Sequence, residues 1–456
     1  LIRDCGFPGE NITVLEGRSG RKIKDEILSF KLFRNAAKRV SLIDRDGKLE
    51  NTERTGLDSC DRIKLLRLFL SKEAGLYGMT VEDYFGKDGH FFNTTIWSLM
   101  QACYGIKECC SLVEFRRFIR QRTEEISVMG RSSVKTSAEE HLCENDFVSE
   151  DIEKYLEDKG VTVKNGCEVT DIDFAEGDAV TAKCLKIKTV EGEGEIRLRD
   201  EDICIVTVGC VTDCTALGDT DTPAGADFGH SMSFELWKRI ADKLPGRFGN
   251  PEPFFERISD TSVEGFTARL KGDSALKEII NTDLVMLKDS NWGLVSFVPD
   301  KDLRKDLSED EIVISGYGLY PEQIGDYVKK PMKECTGREI IFEYLHQLKL
   351  DEERISELMD AVTDVIPEYI PYACGAREPR RADDRPLIIP AGSENFAVIG
   401  QFVEMPEAAT AFEEYSVRSA RTAAYKVMNI QRPIAPVTKN SGSAGTLLRA
   451  LFRFMR

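Results

Sequence analysis

The stretch from about residue 151 to Gly209 constrains the fold more than any other part of the chain. "DIEKYLEDKGVTVKNGCEVTDIDF" reads as a helix stopped at Gly160 and followed by short β-branched strands. "AVTAKCLKIKTVEGEGEIRLRDEDICIVTVG" then alternates apolar and polar residues across a glycine-rich hairpin around Glu191–Glu195. It ends in the apolar run Ile203-Cys204-Ile205-Val206-Thr207, closing on Gly209. Alternation of period two marks an antiparallel meander with one solvated face, whereas an unbroken apolar run marks a strand buried on both faces. Helix, strand, meander and buried strand in that order require an α/β chain.

Two distant segments have the same character. "LIRDCGFPGENITVLEG" reads as the last turn of a helix, a Gly6/Pro8/Gly9 loop and the strand Ile12–Leu15 closing on Glu16. This is the second half of a βαβ unit, so the first strand and its glycine loop are expected upstream and the chain reads as a fragment or as shortened at its N-terminus. Near the other end, the buried strand Phe396–Ile399 runs into Gly400-Gln401-Phe402, and a long helix is expected from about Ala409 to Asn429. An acidic residue at a strand end, as at Glu16, suits a ribose diol. Gly209 lets backbone approach a ligand closely. A helix following the 400–402 turn offers its N-terminus to a pyrophosphate. Together the three segments point to one adenine dinucleotide, in an order that two-dinucleotide flavoproteins use. The G-x-G-x-x-G loop of such sites is absent from the sequence.

Other classes are excluded by composition. The 456 residues carry 62 Lys+Arg against 79 Asp+Glu, a net charge of −17 that repels phosphate backbones and argues against nucleic-acid binding. No apolar stretch is long enough for a transmembrane helix. The 13 cysteines are scattered without a paired C-x-x-C framework and only 4 histidines are present, so reduced cytoplasmic thiols and no metal site are expected.

Between these landmarks lie helix-like segments, among them "GRSGRKIKDEILSFKLFRNAAKR", "DSCDRIKLLRLFLSKE" and the stretch containing Phe91, Phe92, Trp97 and Phe115. Thr80 and Ser111 are expected N-caps. Residues 230–380 mix helices ("SMSFELWKRIADKL", "TGREIIFEYLHQLKL", "DEERISELMDAVTDVI") with strands ("GLVSFVP", "EIVISGYGLY"). After a Ser/Gly linker, "TLLRALFRFMR" intersperses Leu447, Leu448, Leu451, Phe452 and Phe454 with Arg449 and Arg453, a pattern suited to an anionic membrane surface.

Five segments, "LIRDCGFPGENITVLE", "VTVGCVTDCTALGDTDTPA", "GDYVKKPMKECTGREI", "DDRPLIIPAGSENFAVIGQF" and "EEYSVRSA", closely resemble the bacterial oleate hydratase family, also called myosin-cross-reactive antigens. The resemblance implies a Rossmann-like FAD-binding flavoprotein fold, here without its N-terminal strand and glycine loop, joined to a mixed α+β substrate domain and helical subdomains. It also implies a hydro-lyase that adds water to the cis-9 double bond of oleate or linoleate, giving 10-hydroxy acids. The enzyme would be cytoplasmic, peripheral at the inner membrane face, and homodimeric. FAD would take no redox part. The cofactor candidates are Glu16, Arg18, Gly20, Arg21, Gly209, Gly400, Gln401 and Phe402. Arg380, beside the "DDRP" turn, matches a segment near the substrate channel.

The corresponding layout is a flavin-unit remnant at 1–45, a helical subdomain at 46–130, a flavin-unit return segment at 131–229, a fatty-acid domain at 230–390, a terminal flavin-binding strand, turn and helix at 391–430, and a linker with basic tail at 431–456. Two departures stand out. The family's R-G-G-R-E-M motif is nearest to Arg18-Ser19-Gly20-Arg21-Lys22-Ile23, with Lys22 in place of the carboxylate. The family's Y-N-x-Y motif aligns with Leu142-Cys143-Glu144-Asn145, without either tyrosine. No catalytic residue is therefore assigned, and the alternative is a relative that binds fatty acid without hydrating it.

Overall fold

The computed structural model describes residues 1–17, 40–129, 152–225, 231–272, 284–298, 311–410, 413–435 and 437. Among them run strands β1 (Thr13–Glu16), β2 (Val40–Ile43), β3 (Thr162–Asn165), β4 (Glu168–Phe174), β5 (Ala182–Thr189), β6 (Gly192–Arg197), β7 (Cys204–Thr207), β8 (Ala216–Leu217), β9 (Val263–Lys271), β10 (Leu284–Leu287), β11 (Leu294–Phe297), β12 (Glu311–Gly318), β13 (Val362–Ile370) and β14 (Phe396–Ile399).

The expected α/β, Rossmann-like part rests on two parallel pairs. β1 pairs with β3, and β14 pairs with β7 in the register Phe396↔Cys204 to Ile399↔Thr207. The meander β4-β5-β6 is antiparallel, and its hairpin turns where the glycines of 192 and 194 predicted it. The helix Glu413–Val427 packs on β14, and its Arg421 and Tyr425 side chains donate to Asp4 Oδ2 at 2.9 and 3.0 Å. Asp4 sits in the short helix Ile2–Cys5, so this contact ties the N-terminal helix to the C-terminal one.

A seven-stranded, largely antiparallel sheet of order β2-β10-β11-β12-β9-β13-β8 forms the second body. It draws β2 and β8 from sequence outside 230–380. On one face its Met286, Phe297 and Tyr317 pack against the helices Ser59–Leu70, Thr95–Tyr104 and Leu112–Gln121, through Leu68, Trp97, Met100 and Phe115. Phe91 and Trp97 are fully buried there, and the Phe85 and Phe91 rings stack at 3.9 Å. This aromatic group therefore covers one face of the sheet. Against the other face lie the helices Gly337–Gln347 and Glu352–Ala361.

Local signals explain most boundaries. Thr80 caps the helix Val81–Phe85 in a reciprocal box with Asp83, as expected. Ser111 occupies the N-cap position of Leu112–Gln121 without a capping hydrogen bond from its side chain. "DEERISELMDAVTDVI", read above as one helix, divides at Ala361, and Val362 onward joins β13 beside β9. Val, Thr, Val and Ile lose side-chain freedom in a helix and fit a pleated surface, so pairing with β9 wins.

The motif "GDYVKKPMKECTGREI" is organised by one buried carboxylate. Glu343 accepts the backbone N–H groups of Asp326, Tyr327 and Val328 at 2.9, 2.8 and 2.7 Å. Glu343→Ala strands three N–H donors, each costing about 1–3 kcal/mol if left unpaired. The urea midpoint of that variant is expected to fall clearly below that of Glu339→Ala, which removes a more exposed helix cap.

Candidate functional site

Parallel pairing places the C-terminal ends of β7 and β14 side by side, the edge of an α/β sheet where ligands bind. Gly209 follows β7 with φ +65, and a Cβ there would stand 2.6 Å from Phe402 Cδ2 and 3.0 Å from Phe234 Cε1. Gly400 follows β14 with φ +111, and its N–H donates to Ser419 Oγ at 3.0 Å. Phe402 is fully buried, its ring 5.1 Å from Phe234 and 5.5 Å from Phe254. Gln401 is half-buried between them in sequence. The structure thus brings Gly209 and Phe402 into contact, and the backbone freedom at Gly209 is required by protein packing.

Glu16 ends β1 with its side chain exposed and, among the described residues, without a hydrogen-bond partner. Arg18, Gly20, Arg21, Lys22 and Leu142–Asn145 lie outside the described residues, as do Leu447, Leu448, Arg449, Leu451, Phe452, Arg453 and Phe454.

The loop after Gly209 carries a feature not read from the sequence. Buried Asp213 accepts from Ser231 Oγ at 2.8 Å, Ser233 Oγ at 2.7 Å and Ser233 N–H at 3.0 Å. It thereby fixes the loop to the start of the helix Met232–Lys243.

Arg380 lies at the centre of a buried ion cluster. Four guanidinium groups (Arg116, Arg117, Arg380, Arg385) meet three carboxylates (Glu73, Glu114, Glu404). The Arg117, Arg380 and Arg385 side chains are fully buried. Arg380 Nη2 lies 2.7 Å from Glu404 Oε2 and 3.4 Å from Glu114 Oε1. Arg117 Nη2 bridges Glu73 Oε2 at 2.7 Å and Glu404 Oε1 at 2.8 Å. Arg385 Nη1 reaches Glu114 Oε1 at 3.2 Å. Arg380 also lies over the Tyr77 ring at 5.4 Å. The Tyr415 hydroxyl donates to the Val403 carbonyl at 2.6 Å and accepts from Arg385 at 3.2 Å. These contacts clamp the 400–405 turn onto the helix Leu112–Gln121 and the 377–385 segment.

Beside Glu114 is a narrow crevice that it lines together with apolar Ile106, Cys110, Phe115, Phe118 and Ala409 and with Arg377 and Thr410. Arg377 is committed to the Tyr104 and Gly105 carbonyls at 2.6 and 2.9 Å. Among the described residues, Asp58, Asp61 and His90 form a grouping that could hold a metal ion. Its geometry is that of a helix start: Asp58 and Asp61 form the capping box of Ser59–Leu70, and His90 Nδ1 lies 2.7 Å from Asp61 Oδ2.

Burial alone would raise the Glu114 carboxyl, but Arg385, Arg117 and Arg380 together hold it at about 2, against an ordinary 4.5. With the folded value below the unfolded one, the unfolded chain takes up the proton first. The stabilisation is complete above about pH 4.5 and is lost as pH falls toward 2. Urea midpoints measured between pH 7 and 3 are expected to fall more steeply for the native chain than for Glu114→Gln, whose side chain does not titrate.

Comparison with known proteins places the chain in a family. Residues 17–425 match the model of the MCRA family. An oleate hydratase of Streptococcus pyogenes serotype M49 (strain NZ131) is 29% identical over 407 residues, 85% of this chain and 68% of that protein. A linoleate hydratase of Lactiplantibacillus plantarum is 29% identical over 414 residues, 82% of this chain and 71% of that protein. An oxidoreductase structure from Methanosarcina mazei superposes over 84% of this chain and 81% of that chain, at 11% identity and a TM-score of 0.40, too loosely to inform the site. With its match running from the end of β1 through the helix that packs on β14, the chain belongs to the MCRA family.

Proposed function

We propose that this chain is a fatty acid hydratase, a hydro-lyase that adds water to the cis-9 double bond of oleate or linoleate to give a 10-hydroxy acid, with FAD as a non-redox cofactor. The observation that carries the reading is the family match spanning the glycine turns that close β7 and β14. In this reading Glu16 accepts from the adenosine ribose, while Gly209 and Gly400-Gln401-Phe402 form the wall toward the flavin. Arg18, Gly20 and Arg21 complete the loop that faces it. Residues 1–45, 131–229 and 391–430 compose the flavin unit, 230–390 the fatty-acid domain and 46–130 its helical cover.

Hydration needs a proton delivered to one alkene carbon and water to the other, with no net oxidation. When bound, the flavin supplies a shaped, electron-rich surface near the charge that develops. The chain's own contribution is positional. The buried ion cluster fixes the 400–405 turn, and the aromatic group around Phe402 keeps that turn dry. Arg380 stays on the substrate side in this reading through the family segment it matches, and among the described residues its buried Nε, like that of Arg385, has no hydrogen-bond partner. Among the described residues no helix is long and apolar enough to cross a membrane. Peripheral contact through residues 447–454, a cytoplasmic location and a homodimer belong to the same reading.

A second reading is favoured by a specific observation. By the family resemblance, Lys22 stands at the carboxylate position of the R-G-G-R-E-M motif, and Leu142-Cys143-Glu144-Asn145 stands at the Y-N-x-Y motif without its tyrosines. An ammonium beside a developing carbocation is repulsive and cannot act as the same acid–base group. That reading is a protein that holds fatty acid, and flavin, without hydrating it.

Incubating the folded chain anaerobically with oleate and reduced FAD, followed by mass spectrometry, separates the two. Hydration gives a product heavier by one water that is absent from boiled controls. If an active family member makes that product alongside and this chain makes none, yet still quenches flavin fluorescence on binding, the binding-only reading stands and the hydratase reading fails.

A further inference from the structure

The helix Ser59–Leu70 has apolar residues on two opposite faces, and only one is used. Asp61, Leu65 and Leu68 point into the core. On the outer side Ile63, Leu66 and Leu70, spaced i, i+3 and i+7, are 51%, 43% and 69% exposed and form one continuous ridge. Three large aliphatic side chains aligned in water on one helix are unusual for a surface.

Charge singles out the kind of partner. From Arg62 to Lys72 the sequence contains four cations and no carboxylate, in a chain whose net charge is −17. Lys64 turns inward, donating to the Phe85 carbonyl at 2.9 Å. Arg67 and Lys72 are exposed and have no ion-pair partner among the described residues. Arg120, from the neighbouring helix, lies with its guanidinium 5.6 Å from the Phe69 ring at the same end of the ridge. The nearest acid beyond Lys72, Glu73, is engaged by Arg116 and Arg117.

We infer that this face, the Ile63–Leu66–Leu70 ridge with Arg67, Lys72 and Arg120 around it, docks on an anionic phospholipid bilayer. Aliphatic side chains enter the acyl boundary while guanidinium and ammonium groups meet lipid phosphates, the division of labour of an interfacial helix. A second copy of this chain fits less well, because a two-fold contact along this ridge would bring together two 62–72 segments that both carry cations and no carboxylate to pair them. The surface is distinct from residues 447–454 and does not depend on the hydratase reading.

The test is co-sedimentation of the full chain with phosphatidylcholine vesicles, with and without about one-third phosphatidylglycerol. Binding is expected only with the anionic lipid, falling roughly fivefold for each cation removed in Arg67→Gln and Lys72→Gln. Leu66→Glu is expected to lower binding at an unchanged melting temperature. The inference is overturned if the native chain does not bind, or if Leu66→Glu and Arg67→Gln bind as the native chain does, which places the contact elsewhere. It is equally overturned if Leu66→Glu lowers the melting temperature, because the ridge is then covered by the chain itself. Conversion of a dimer to monomer by Leu66→Glu, seen by light scattering, assigns the ridge to a second copy and also overturns it.

Discussion

The buried contact of Arg380 and Arg117 with Glu404 is the constraint on which the rest of the site depends. Glu404 lies a few residues beyond β14, Arg117 on a helix covering the large sheet, and Arg380 on the segment leaving β13. One carboxylate therefore joins the parallel-strand body to the sheet-and-helix body. Such a cluster is a costly way to gain stability, because each ion must be desolvated and breaking one pair leaves the other charge buried. What it provides is position: the three segments meet in one arrangement, since any slip strands a charge.

The turn held in this way is the one at the ligand edge of β7 and β14. Its glycines serve two neighbours at once. Gly209 has no Cβ because Phe402 occupies that space, and Phe402 is placed by the same 400–405 turn that Glu404 and Tyr415 anchor. Electrostatic and aromatic packing are thus linked through the six consecutive residues 400–405. The Asp213 contacts to Ser231 and Ser233 perform the equivalent task on the β7 side.

The parts of this arrangement that are local in sequence were legible there. The strand ending at Glu16, the hairpin at Gly192 and Gly194, the Thr80 cap and the β14 strand with its glycine turn all follow from patterns within a few residues of one another. The division at Ala361 was not legible, because helical spacing in "ERISELMDA" runs without punctuation into residues whose strand state depends on β9. β8 is only two residues long and β2 follows a charged, helix-like stretch, and they become strands by pairing with β13 and β10. The ion cluster is a further case. Arg380 drew attention through a motif, but its partners Glu114 and Glu404 lie 266 and 24 positions away. Nothing local distinguishes a buried glutamate on a helix from a solvated one.

Hydrogen exchange on the native chain and on Glu404→Gln tests the central claim most directly. If the cluster couples the two bodies, the backbone amides of 112–121 and of 400–405 lose protection together in the variant and by similar amounts. Loss confined to 400–405, with the helix Leu112–Gln121 as protected as before, would contradict the coupling and leave the turn held by its aromatic packing alone.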